Sequence, residues 1–294
     1  MMRKDRLDGV GLAALLGVTL LLAANQVIVK ITTVGLQPAF FAGARSALAV
    51  PFIIGWMVWR GIPLRYTPGT AWPGLLIGVV FAVEFLCLFL ALDLTTVSRA
   101  AIIFYSMPVW LAILAHFGLP GERLTILRAF GLALAFAGTA WAILDRSGTG
   151  GQGSLAGDLF ALVGALFWAG TAFLARRPAM AKVGPEMQLL WMAAVSGPLL
   201  ILASPLFGPL LRAVEPMHWV WLVFQAGVVM AGGFITWLWL LSSYPPATVA
   251  SFSFLTPILS IVFGWAVMGE SLGPSTLGAG VLVAAGIILI NRRR

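Results

Sequence analysis

The sequence predicts an all-α integral membrane protein of ten transmembrane helices, arranged as two inverted five-helix repeats around a central cavity. Three observations predict it. Of the 294 residues, 61% are hydrophobic and only 10% charged, with a mean hydropathy of +1.01, against roughly 45–50% apolar and about 25% charged in an ordinary soluble domain. The apolar residues fall into ten runs long enough to cross a bilayer. Two segments, one in each half of the chain, share a pattern around Pro108 and Pro257.

A spanning helix needs about 20 mostly apolar residues, because the hydrocarbon core is about 30 Å thick and a helix rises about 1.5 Å per residue. In order, the runs are Gly9–Val29, Pro38–Trp59, Trp72–Leu92, Ala100–Leu119, Leu124–Leu144, Leu155–Ala175, Glu186–Phe207, Trp219–Leu241, Ala247–Met268 and Leu277–Ile290. Breakers rich in Pro and Gly separate them, among them "RGIPLRYTPG", "GLPGER" and "SSYPPAT". The first run follows a basic start, as a signal peptide does, but Asn25, Gln26 and Lys30 suit a retained span better than a cleavage region. Trp56, Trp59, Trp72 and Trp219 sit near span ends, where amphipathic rings anchor at the membrane interface.

Orientation follows from the loop cations. With the N-terminus cytoplasmic, the inside holds Arg3, Lys4, Arg6, Arg60, Arg65, Arg123, Arg128, Arg176, Arg177, Lys182 and Arg292 to Arg294. The outside holds Lys30, Arg99, Arg146 and Arg212. Both termini are therefore expected in the cytoplasm, and the net charge of +8 reports topology and contact with anionic lipid rather than nucleic-acid binding.

"LDLTTVSRAAIIFYSMPVWLAIL", from Leu92, aligns with "LSSYPPATVASFSFLTPILSIVF", from Leu241, so that Pro108 and Pro257 coincide. Each segment leads to a Gly-Glu, Gly121-Glu122 and Gly269-Glu270, and then to a Gly- and Ala-rich span. Spans four and five thus correspond to nine and ten. An odd number of spans per repeat inverts the second copy, giving repeats over 1–146 and 155–294 joined by a Gly-rich linker, 147–154. That linker contains Gly148-x-Gly150-x-x-Gly153, the spacing of a dinucleotide fingerprint, but it follows a membrane span rather than a strand and reads as a flexible connector. Inverted repeats with Pro-interrupted helices point to a secondary transporter with its substrate bound between the halves. Pro108 and Pro257 then serve as gates or hinges; alternatively each merely kinks a packed helix.

These motifs resemble the drug/metabolite transporter superfamily, EamA type, whose members have ten helices in two inverted repeats. The resemblance runs through Asn25, Lys30, "LQPAFFAGARSAL" with Pro38 and Arg45, the two Pro segments, "GDLFALVGALFWAG" and the closing "GAGVLVAAG". The stretch "VEFLCLFLAL", with Glu84, Cys87 and Leu88, is also similar to the YddG branch of aromatic amino-acid exporters. The resemblance implies export of small metabolites, amino acids and especially aromatic ones, across a bacterial cytoplasmic membrane by alternating access. A channel-like facilitator, a carrier of another small organic solute and a membrane enzyme are the other classes to weigh.

Charges inside the bilayer need partners. Arg45 lies about 10 Å into a span entering from outside and Glu84 about 18 Å into one entering from inside, so their depths nearly coincide. The pair reads as a structural ion pair, with Glu84 equally readable as a site for a substrate amine or a proton. Asn25, Gln26 and Lys30 close the first span with polar groups that suit either interhelical bonding, snorkelling, or substrate contact. Tyr105 and Trp110 flank Pro108, Trp168 is mid-span, Phe252 and Phe254 precede Pro257, and Trp237 and Trp239 lie in the eighth span; with Ser251 and Ser253 they are candidates for an aromatic-lined pocket. The small-residue stretches Gly131–Gly138 and Gly278–Gly286 suit close packing, either between repeats or in a homodimer. One cysteine, Cys87, and two distant histidines, His116 and His218, give no disulfide or metal motif. No Walker A or H-E-x-x-H motif appears, so no cofactor or metal is expected. The expected partners are a small-molecule substrate and membrane lipid.

Overall fold

A computed structural model describes residues 8–119, 125–145, 153–244, 252 and 255–291. Among these the chain is helical, with one isolated antiparallel bridge, Leu36 to Leu211. In chain order the helices are α1 (Gly9–Thr33), α2 (Pro38–Trp59), α3 (Ala71–Leu94), α4 (Val97–Phe104), α5 (Met107–Gly118), α6 (Ile126–Leu144), α7 (Leu155–Ala175), α8 (Pro178–Ala181), α9 (Pro185–Ala203), α10 (Pro216–Phe224), α11 (Phe234–Ser243), α12 (Leu255–Met268) and α13 (Pro274–Asn291). A π-helical segment, Gln225–Gly233, joins α10 to α11. Among the described residues eight stretches are long and apolar enough to cross a membrane, counting α4 with α5 and α10 with the π segment and the start of α11; α12 and α13 are shorter apolar helices.

Lipid offers no hydrogen bonds to exposed backbone, so helix ends must be satisfied internally. Asp8, Gln37, Thr96, Thr125 and Ser154 each accept an amide of the first turn of the helix that follows. Pro38, Pro178, Pro185 and Pro216 stand in first turns, where a missing N–H costs nothing. Asp8 also accepts the Tyr244 hydroxyl at 2.6 Å, tying the start of α1 to the end of α11.

Packing is closest where glycines let backbones meet. α13 lies along α6, with a Cβ on Gly286 falling 2.5 Å from the Gly131 carbonyl oxygen and one on Gly138 falling 2.8 Å from that of Ala279. The two small-residue stretches therefore face each other within one chain. α2 meets α9 through Gly43 against Ile201 and Gly197 against Ala47, and Gly74 and Gly78 of α3 receive Trp191 and Val195 of α9. α3 also packs on α7, α1 on α12, and both α1 and α2 on the π segment. Outward-facing side chains are large and apolar, and Trp59 and Trp72 at span ends are 73% and 72% exposed, as interfacial anchors require.

Three sequence expectations change. The fourth span is two half-helices, broken at Tyr105 and Ser106, because apolarity alone does not register a two-residue interruption. The eighth span has π geometry in its middle. Arg99, expected in an outer loop, lies in the first turn of α4 and is 2% exposed.

Candidate functional site

The break between α4 and α5 organises the centre of the molecule. Ser106 closes it, its hydroxyl donating to the Ile103 carbonyl at 2.6 Å while its own carbonyl accepts the Val109 amide at 2.9 Å. Pro108 falls in the first turn of α5, where its fixed φ suits a helix start. The break presents Phe104 and Tyr105 to α7. There Trp168 stacks on Phe104 at 4.8 Å and 16° and meets Tyr105 edge-on at 5.4 Å and 80°, arrangements favoured by the ring quadrupoles. Gly164, one turn before Trp168, leaves space for Phe104, whose ring would stand 3.1 Å from a Cβ there.

Polar groups surround these rings. The Tyr105 hydroxyl lies beside the side chains of Gln26 on α1 and Thr256 on α12, and Thr256 immediately precedes Pro257. Thr171, one turn beyond Trp168, donates to Glu84 Oε2 at 2.8 Å. Asn25 Oδ1 and Gln26 Oε1 are buried with no hydrogen-bond partner. Helices α1, α3, α4, α7 and α12 thus contribute to one cluster of mutually packed rings with polar atoms at its edge. Among the described residues no group of His, Cys, Asp or Glu could hold a metal ion.

Arg45 and Glu84 lie near enough to attract each other but make no direct salt bridge. The Arg45 guanidinium lies over the Phe85 ring at 3.9 Å and the Phe89 ring at 5.0 Å, and its Nε and Nη2 have no hydrogen-bond partner. Successive helix residues point about 100° apart, so Arg45 meets the face of α3 that carries Phe85 while Glu84 turns to α7. That face is an aromatic ladder, Phe81, Phe85 and Phe89 at one-turn spacing, continued by Phe41 and Phe234. The one-turn recurrence of Phe in this span marked it, but in so apolar a run it looks like ordinary packing.

Other expected site residues lie elsewhere. Lys30 Nζ donates to the carbonyls of Leu92 and Thr95 at 2.8 and 2.7 Å, closing the C-terminus of α3. Trp110 turns to α6, its Nε1 donating to Ser106 Oγ at 3.2 Å and its ring meeting Phe136. Trp237 packs with Leu15, Val18, Leu240 and Tyr244, a cluster separate from Trp168. Pro257 is buried in the first turn of α12. Ser251 and Phe254 lie outside the described residues. A shallow groove of about 510 Å³ runs between α1 and the π segment, lined by Gly17, Leu21, Gly227, Gly232 and Thr236 among others. It does not include the aromatic cluster.

The α3–α4 junction carries a network that sequence reading missed. Arg99 donates from Nε to Asp158 Oδ1 at 3.1 Å and from Nη2 to Oδ2 at 2.7 Å, with Thr95 Oγ1 also on Oδ1 at 2.9 Å. Glu270 accepts the amides of Val97 and Ser98 and the Ser98 hydroxyl, placing a carboxylate on the positive end of α4. Gly264 makes this possible, since a Cβ there would stand 2.5 Å from Glu270 Oε2, and Gly269, at φ +66, turns the chain back. Arg212 bridges Asp93 and the Thr33 carbonyl at the rim. Gly269-Glu270 therefore has a structural job, capping a helix in the other half of the chain, while Gly121-Glu122 lies outside the described residues. Glu270→Ala is expected to cost about 1–2 kcal/mol by orphaning these donors, measured as the unfolding free energy in mixed micelles; a change below about 0.3 kcal/mol would refute the capping role.

Comparison with known proteins agrees with this architecture. The model of the EamA-like transporter family matches residues 9–144 and again 155–292. The uncharacterized transporter YvbV of Bacillus subtilis is 31% identical over 203 residues, 66% of this chain and 62% of that protein; in this alignment the chain spans under two thirds of the relative's length. A second B. subtilis protein, the uncharacterized transporter YoaV, is 22% identical over 94% of both chains. An uncharacterized transporter of Archaeoglobus fulgidus is 24% identical over 95% of this chain and 97% of its own. A solved structure described as "Crystal structure of protein" shares the fold, with a TM-score of 0.66, 21% identity, and coverage of 94% of this chain and 96% of that one.

Proposed function

The chain belongs to the EamA-like transporter family, and from that premise we propose that it is a secondary exporter of amino acids, aromatic ones preferred, working by alternating access in a bacterial cytoplasmic membrane. The observation that carries the substrate reading is the cluster of Phe104, Tyr105 and Trp168 at the α4–α5 break, beside the buried Glu84 and the partnerless side-chain oxygens of Asn25 and Gln26. Rings of this kind hold an aromatic side chain, and these acceptor oxygens orient its amine.

The carrier mechanism takes ten spans in two inverted repeats, with both termini cytoplasmic. The double match of the family model supports the repeats. So does the pattern of packing: α3 on α7 has its counterpart in α1 on the α10–α11 span, and α1 on α12 has its counterpart in α7 on α4 and α5. Rocking of one half against the other exposes the cluster alternately to each side, with the Pro108 and Pro257 helix starts as the articulated elements.

Liposomes reconstituted with the protein and loaded with tryptophan, phenylalanine, alanine or a nucleoside test this. Saturable counterflow of the aromatic amino acids is expected, and Trp168→Ala should raise the half-saturation concentration about tenfold. No saturable movement of any amino acid defeats the substrate reading. Glu84→Gln should reduce exchange while leaving the melting temperature near wild type; unaltered exchange with a lowered melting temperature would make Glu84 a packing residue only.

A further inference from the structure

Arg45 stands out among the buried cations for the atoms it leaves unused. It is 1% exposed and permanently charged, in a helix 22 residues long and apolar enough to span a membrane. A guanidinium in that setting demands an anionic partner, since a buried charge without one is strongly unfavourable. The Glu84 carboxylate lies near enough to attract it but is hydrogen-bonded by Thr171, and Nε and Nη2 have no hydrogen-bond partner.

Those two nitrogens are a matched set. Nε–H and one Nη2–H point the same way and form the fork that takes both oxygens of one carboxylate. Arg99 shows this use in the same molecule, with Nε on Oδ1 and Nη2 on Oδ2 of Asp158. In Arg45 the fork carries no protein carboxylate. The guanidinium is nevertheless held in place, its face lying on Phe85 at 3.9 Å and near Phe89 at 5.0 Å. Cation–π contact of this kind secures the plane of the group, while its Nε and Nη2 edge is buried without a hydrogen-bond partner. Ser46, the next residue, adds a buried hydroxyl oxygen without a partner.

We propose that Arg45 is the anion-recognising group of this transporter, its Nε/Nη2 fork binding the carboxylate of an organic solute once the carrier's rocking opens a path to it. This rests on the transport reading above and deepens it: the substrate class is a carboxylate, and neutral isosteres are discriminated against at Arg45. Lysine is a poor substitute because an ammonium has no planar fork.

The test uses the full-length protein in liposomes and in detergent, with 3-phenylpropionate and its neutral isostere 3-phenylpropionamide as probes. Each is measured as a competitor of phenylalanine counterflow and as a stabiliser in thermal unfolding. In the wild type the carboxylate should be about tenfold or more the stronger ligand. Arg45→Gln should bring the ratio near one, and Arg45→Lys should lose most of the preference. Equal action of the two probes on the wild type overturns the inference without any variant, so a poorly folding Arg45→Gln does not shelter it. If phenylalanine exchanges and Arg45→Gln keeps the wild-type preference, transport stands and the Arg45 assignment falls. If no amino acid moves but the carboxylate stabilises the wild type and not Arg45→Gln, the amino-acid reading falls and the anion site stands. If neither probe acts on the wild type and nothing moves, both fall.

Discussion

Replacing Arg99 by methionine is expected to destabilise the protein by about 3–5 kcal/mol, the cost of stranding a buried partner of an ion pair. Asp158 is fully buried, and the substitution removes both of its bonds to the guanidinium while the Thr95 hydroxyl stays on Oδ1. The double variant Arg99→Met, Asp158→Leu is expected to recover most of the loss, because removing both charges also removes the desolvation cost. Unfolding in mixed micelles provides the measurement. A single substitution costing less than about 1 kcal/mol would mean that the junction is not held by this pair, and a double variant no better than the single would mean that packing around the guanidinium stem dominates.

The second large effect is expected at the α6–α13 contact. Gly286→Leu places a Cβ 2.5 Å from the Gly131 carbonyl oxygen and 2.6 Å from the Ala135 Cβ. Both are on the facing helix and neither can swing aside, so the helices must separate at a cost of about 3 kcal/mol. Gly55→Ala is the control. Nothing lies within 4 Å of a Cβ there, and alanine's better helix propensity makes that change neutral or stabilising by up to about 1 kcal/mol. Wild-type stability in the Gly286 variant would show that the two helices do not bear on each other in solution.

Apolar periodicity located the spans well, because a lipid-facing helix leaves a run of about 20 residues that few other structures need. It was blind to hydrogen-bond register, which is why it marked the interruption at Pro108 but not its place at Tyr105 and Ser106, and missed the π geometry of Gln225–Gly233. The pair Gly232-Gly233 and the intramembrane Gln225 marked the second place, though both also suit plain packing. Partners far apart in sequence were the other blind spot. Arg99 looked like a loop cation because its carboxylate comes from α7, 59 residues away. For Arg45 and Glu84 the depth was readable from position along each span, whereas the rotation of α2 against α3 depends on every glycine contact between α2, α3 and α9. Tyr105, beside Pro108, and Trp168, mid-span in the sixth run, lie in contact, whereas Lys30, Trp110 and Trp237 each have a nearer partner.

The capping of α4 bears on how the protein is made. Glu270 follows Val97 by 173 residues, and Asp158 follows Arg99 by 59. At about 5–20 residues per second of synthesis, Asp158 appears roughly 3–12 s after Arg99, and Glu270 roughly 9–35 s after the amides it caps. During that interval the newly made first half holds a cation and a set of bare amides whose carboxylates have not yet been translated. The final placement of α4 is therefore a late event of biogenesis, completed only when α12 has been delivered to the membrane.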